Sequence, residues 1–95
     1  MTFGWDEEKA AVNFERHGVG FEEARFVFED KDAIEEFDID RSTDEDRFRR
    51  IGLSDRRLLL VVYTVRAGGS IRIIHPRKAG KSMKRLYEQN KQDKS

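Results

Sequence analysis

The residues with most chemical promise are arginines that stand on or beside apolar segments, where a charge interrupts burial and needs a reason. In Ser70-Ile71-Arg72-Ile73-Ile74-His75-Pro76-Arg77, strand alternation puts Ile71, Ile73, His75 and Arg77 on one face and Arg72 and Ile74 on the other. Arg66 closes the preceding apolar segment, and Arg47 opens the one before that. A guanidinium keeps its charge and presents a planar fork of donors suited to phosphate, so several on one sheet face would hold a nucleic-acid backbone. The competing reading pairs them with the surplus carboxylates of residues 29–46. His17 has two readings as well. It is a general acid, general base or phosphate-positioning donor, or it only meets the last carbonyls of its helix.

Other chemistries find no pattern to rest on. The two histidines, His17 and His75, stand in separate elements, cysteine is absent and no ligand motif occurs, so neither a metal site nor a cofactor is expected. There is no nucleophile-elbow sequence, and the Gly68-Gly69 pair reads as a hairpin turn that exploits positive φ. Trp5 reads as structural, whereas Tyr63 and Tyr87, at core-like spacing, read either as core aromatics or as functional groups.

These side chains must be positioned by about eight elements. Residues 2–5 read as a short strand, and Asp6 caps a helix that runs to about His17 and ends at Gly18. Its apolar face is predicted as Ala10, Phe14 and His17. A second helix covers residues 21–28, with Phe21, Ala24, Val27 and Phe28 as its packing stripe. Residues 33–39 read as an edge strand and residues 41–46 as a polar turn. Three strands follow at 47–53, 58–66 and 70–76, joined by short Asp- or Gly-containing connectors that predict an antiparallel meander. The run Leu-Leu-Leu-Val-Val-Tyr at 58–63 is apolar on both faces and marks the sheet centre. Residues 81–92 form a last helix with Met83, Leu86 and Tyr87 inward. The order is β-α-α-β-β-β-β-α, an α+β domain with helices on an antiparallel sheet, and residues 1–95 make one domain.

Charge is sorted along the chain although it sums to zero. Residues 1–46 hold 16 Asp and Glu against 5 Lys and Arg, whereas residues 47–95 hold 3 against 14, giving −11 and +11. Such asymmetry points to nucleic acid or an oppositely charged partner. The longest apolar run is too short to span a bilayer and the acidic start is unlike a signal peptide, so a cytoplasmic protein without membrane contact is expected.

The motifs then carry a resemblance. The stretch from Trp5-Asp6 through Lys9, Asn13, His17-Gly18-Val19 and Phe21-Glu22-Glu23-Ala24 resembles the opening of the BrnT toxin family. Asp46-Arg47-Phe48, Ile51-Gly52-Leu53-Ser54, Leu59 to Thr64 with Arg66, Ile71 to Ile74 leading to Arg77-Lys78-Ala79, and Tyr87-Glu88 continue the match. The chain departs from the family pattern in reading His75-Pro76 where Ser-Ala is frequent, Met83 where Glu is common, and Gly20 where a small hydroxyl residue is usual.

This resemblance implies a RelE-like fold and a ribonuclease toxin of a bacterial type II toxin-antitoxin pair. It also implies translation blocked by metal-independent RNA cleavage. The implied partner is a BrnA-like antitoxin with a ribbon-helix-helix DNA-binding part, operator DNA being met only through that antitoxin. Within it, Arg47, Arg66 and Arg77 are expected as phosphate ligands, His17 or Glu45 as proton-transfer groups and Tyr87 as an orienting or protonating group. Arg72, His75, Lys78 and Lys81 are expected to attract RNA. The basic face would meet RNA in the free toxin and an acidic antitoxin part otherwise, while the acidic half would brace that face or meet a basic antitoxin segment. The alternative is a non-enzymatic nucleic-acid-binding module or a degenerate toxin serving as a repressor subunit.

Overall fold

The computed structural model describes residues 1–94. Strand β1 (Phe3–Gly4) leads to helix α1 (Glu7–His17), whose first free amides at Glu8 and Lys9 donate to the Asp6 carboxylate at 2.9 and 3.2 Å. The helix stops at Gly18, which takes φ 68° and returns its N–H to the Phe14 carbonyl. Helix α2 is a single turn (Phe21–Ala24) that tightens into a 3-10 stretch, Arg25–Glu29. Strand β2 (Ile34–Phe37) is followed by a 3-10 turn at Ile39–Arg41, and β3 (Phe48–Leu53), β4 (Leu58–Val65) and β5 (Ile71–Lys78) form the expected meander. Helix α3 (Lys81–Asp93) closes the fold.

The α+β class and the element order are as expected from the sequence. The sheet is mixed rather than wholly antiparallel: in the order β1-β5-β4-β3-β2, the short β1 pairs parallel to β5. An intervening set of elements carries the chain across the sheet between these two strands, and this permits the parallel pairing. β4 is the central strand, and Leu59 to Tyr63 are buried.

Two cores occupy the two faces. On one, Leu59, Val61 and Tyr63 pack with Ile71 and Ile73 beneath Val19, Phe21, Ala24 and Val27. On the other, Leu60 packs with Ile51 and Tyr87 of α3. Each fully buried aliphatic side chain contributes about 1.5–3 kcal/mol through removal from water. Gly52 is required where the first face is tightest, because a Cβ there would lie 2.9 Å from Val27 Cγ1 and 3.0 Å from Ala33 Cβ.

Two helix faces differ from expectation. In α1 the buried residue is Asn13, while Phe14 is 58% exposed. Asn13 Nδ2 donates to the carbonyls of Val19 (3.2 Å) and Pro76 (2.8 Å), so a polar anchor beside β5 sets the helix rotation. In α3, Tyr87 and Met83 face the sheet but Leu86 is exposed, because one short helix presents only a narrow stripe to Ile51 and Leu60.

Candidate functional site

β1 covers only Ile71 and Arg72 along the outer edge of β5, and α1 lies against the strand further on, held by the Asn13 bond to Pro76. At this point β5 also breaks its alternation. Tyr63 pairs with Ile73 but Val62 pairs with His75, so Ile74 is an unpaired bulge residue. Cross-strand partners share a face, so Arg72 (opposite Thr64), His75 (opposite Val62) and Arg77 (opposite Leu60) project together, away from Ile71 and Ile73. Simple alternation had assigned His75 and Arg77 to the isoleucine face. The extra residue reverses that assignment.

Three further elements enclose the bulge. Helix α1 contributes a polar stripe, Lys9, Asn13, Arg16 and His17, whose spacing of four, three and one puts them on one side. Together with Arg41, Ile74, His75 and Arg77 they line a groove of ≈ 620 Å³. Next to it, sharing Lys9 and Ile74, a smaller concavity of ≈ 130 Å³ is lined by Asp6, Glu45, Arg47, Arg66 and Arg72. The connection between β2 and β3 supplies Arg41, Glu45 and Arg47. It is held by Ser42, whose hydroxyl donates to the Asp38 carbonyl (2.6 Å) and accepts from the Arg47 N–H (2.9 Å), and by Thr64, which donates to the Asp46 carbonyl at 2.6 Å.

Ion pairing separates these cations from the rest. Among the described residues, Arg25, Arg41, Arg49, Arg50, Arg57 and Arg66 each contact a carboxylate, whereas Arg16, Arg47, Arg56, Arg72, Arg77 and Arg85 contact none. Four of those six, Arg16, Arg47, Arg72 and Arg77, line the joined concavities. Arg47 Nε is buried without a hydrogen-bond partner. His75 sits among them. Burial, followed by the charges of Arg77, His17, Arg41 and Arg47, pushes its pKa below the ordinary 6.5, so the imidazole is uncharged at neutral pH. An uncharged imidazole ringed by fixed cations can take up a proton while those cations hold an anion.

The sequence candidates are thus distributed unevenly. His17, His75 and Arg77 share the larger groove, and Arg47, Arg66, Arg72 and Glu45 the smaller one, where Arg66 Nη2 and Glu45 Oε2 lie 3.5 Å apart. Tyr87 is not brought there. It is 4% exposed in the second core, donates to Asp30 Oδ2 at 2.7 Å, and has its pKa pushed upward by burial and by Asp30. Lys78 pairs with Leu59 and so projects to the face opposite Arg77, and Lys81 opens α3; neither lines the concavities. Sequence reasoning missed Lys9, Arg16 and Arg41. The first two were detectable as a polar stripe at helical spacing with Asn13 and His17, whereas Arg41 lies in a turn without any periodic signal.

Among the described residues no three His, Cys, Asp or Glu side chains gather as a metal site, and no helix is long and apolar enough to cross a membrane.

The family described as "Ribonuclease toxin, BrnT, of type II toxin-antitoxin system" matches residues 5–82. The crystal structure of the Brucella abortus ribonuclease toxin BrnT superposes with a TM-score of 0.65 at 24% identity, over 85% of this chain and 99% of that one, and so shares the fold. No curated protein matches the chain in sequence.

Proposed function

Since the chain belongs to the BrnT family of ribonuclease toxins of type II toxin-antitoxin systems, we propose that its joined concavities bind an RNA phosphate and cut there without a metal. The observation that carries this reading is the gathering of four carboxylate-free arginines around an uncharged histidine.

In this reading Arg77 and Arg47 hold the scissile phosphate, and Arg72, Arg16 and Lys9 attract the neighbouring backbone. The ribose 2′-OH attacks the adjacent phosphorus as its proton passes to His75. The bond to the 5′-oxygen breaks as His17 returns a proton to that oxygen, leaving a 2′,3′-cyclic phosphate and a 5′-OH end. Fixed guanidinium charge opposes the negative charge that builds on the phosphate oxygens. Glu45 aligns Arg66. The cut stops translation in the cytoplasm. Neutralisation falls to a BrnA-like antitoxin, whose ribbon-helix-helix part takes the complex to operator DNA.

The test is incubation of purified protein with RNA in EDTA. The expected result is cleavage that survives chelation and is lost in Arg77→Ala, with cyclic-phosphate ends on the products. Strict dependence on added metal overturns the metal-independent step. Salt-sensitive RNA binding without turnover would assign the surface to binding alone.

A further inference from the structure

A second large concavity lies away from the arginine site. A groove of ≈ 660 Å³ runs beside α2 and its 3-10 extension, lined by the carboxylates of Glu22, Glu23, Glu29 and Asp55 against the single guanidinium of Arg25. Its apolar lining comes from Met1, Phe3, Phe26 and Phe28. At Phe28 it meets a second depression containing Phe48, Tyr63 and Val65.

These rings form one continuous row across the sheet. Phe3 to Phe28, Phe28 to Tyr63, Tyr63 to Phe48 and Phe48 to Phe37 have centroid separations of 5.2, 4.9, 5.5 and 5.7 Å. The row lies on the face of Tyr63, opposite to the face from which Arg72, His75 and Arg77 project. The row ends in the open at Phe37, which is 47% exposed, and Phe26, which lines the groove with Phe3 and Phe28, is 44% exposed. Glu22 and Glu23 are tied to Arg25 and Arg57, but Glu29 and Asp55 contact no cationic side chain among the described residues. Arg25 and Arg50 already lie over Phe3 and Phe28, 5.2 and 5.5 Å from the ring centroids, so the open rings are Phe26 and Phe37. Exposed rings beside carboxylates without an ion pair have the composition of a protein interface whose partner is basic.

We infer that this acidic aromatic face is where a basic, amphipathic segment of the antitoxin docks. The inference rests on the toxin reading above. An antitoxin that binds DNA carries surplus positive charge, which the arginine face repels and the carboxylates here attract. The competing occupant is a second copy of this chain, offering its own basic face.

The experiment measures binding of the protein encoded by the adjoining reading frame to wild type, to the double variant Phe26→Ser with Glu29→Lys, to Phe37→Ser, and to Arg77→Ala. All four changed residues are exposed, and circular dichroism confirms that each variant is folded. The expected result is at least about tenfold weaker binding for the first two variants, with RNA cleavage retained, and unchanged binding for Arg77→Ala. Wild-type affinity in the first two overturns the surface while leaving the toxin reading intact. Failure of the wild type to bind the neighbour's product overturns the partner reading and the surface with it. Self-association of the free chain that these substitutions abolish would give the face to a second copy and overturn the antitoxin assignment.

Discussion

Two charged regions on either side of β3 and β4 follow opposite rules. Around Asp30, charge is satisfied. Its Oδ2 accepts from the Leu53 N–H (2.8 Å) and the Tyr87 hydroxyl (2.7 Å), and Oδ1 accepts from the Asp32 N–H at 3.0 Å. Burial opposes the charge, but these hydrogen bonds and the nearby Arg50 outweigh it, and the carboxyl is held below its ordinary 3.8. A similar knot joins Arg57 to both oxygens of Glu23 at 2.8 and 3.0 Å and to the Gly18 carbonyl at 2.9 Å. Around His75, by contrast, Arg47 and Arg77 contact no carboxylate among the described residues, and Arg41 meets Asp38 only at 3.5 Å. The first arrangement ties α3 and the α2 region to the ends of β3 and β4. The second leaves positive charge without a carboxylate partner among the described residues, which favours an incoming anion. Charge in this protein is thus paired where it ties elements together, and four of the six arginines without a carboxylate gather at the candidate site.

The contrast predicts separable phenotypes. Arg77→Ala should lower RNA cleavage by about a hundredfold or more, while the thermal midpoint stays close to that of wild type. Equal cleavage in calorimetrically intact variant and parent would break the division of roles. Asp30→Asn should do the reverse, losing about 1–3 kcal/mol in urea titrations as the Tyr87 and Leu53 donors lose a charged acceptor. Cleavage per folded molecule should be retained.

The pH dependence sharpens the same comparison, because the two regions fail in different windows. His75 has a lowered pKa in the fold, so the unfolded chain binds more protons below 6.5. Its contribution is therefore complete above pH 6.5 and is lost as pH falls from there through the lowered folded value. His75→Gln should flatten the change in urea midpoint between about pH 7.5 and pH 5.5. Asp30, with a lowered carboxyl pKa, contributes above its unfolded value of 3.8 and loses that contribution as pH falls through the folded value. Asp30→Asn should leave the slope near neutrality unchanged and flatten only the acid limb; a change near neutrality would show that the two regions are coupled.

The smallest effect is expected for Tyr87→Phe, which removes one donor to Asp30 while keeping the ring between Ile51 and Leu60. It should cost about 0.5–1.5 kcal/mol of stability. Because Tyr87 lies away from the concavities, single-turnover cleavage should be unaltered; a large fall would return Tyr87 to the catalytic set.

Much of the scaffold was legible because its signals are local. Asp6 before Glu7-Glu8, Gly18 after His17, and the six apolar residues from Leu58 to Tyr63 each specify their element through capping, positive φ or burial on both faces. The site was legible as a set of residue types but not as an arrangement. Arg47, Arg66, Arg72, Arg77, His17 and His75 do come to adjoining concavities. Period-two reasoning nevertheless put Arg72 and His75 on opposite faces, since nothing local in Ile73-Ile74-His75 announces which residue loses its partner. Phe14 and Leu86 misled for a related reason. Helical spacing tells which residues share a side, but only the neighbouring sheet decides which side is covered.

The sequence by itself determined the family, the order of elements, the central strand and the split of charge between the two halves. These depend on residues near one another in the chain, or on patterns that any fold must respect. Tertiary structure alone decided that the bulge at Ile74 turns His75 and Arg77 to the side of Arg72, and that Asn13 rotates His17 toward them. It also selected the arginines left without carboxylates. Register and pairing are long-range properties: each depends on which strand and which helix arrive alongside, and packing across β4 and β5 settles that.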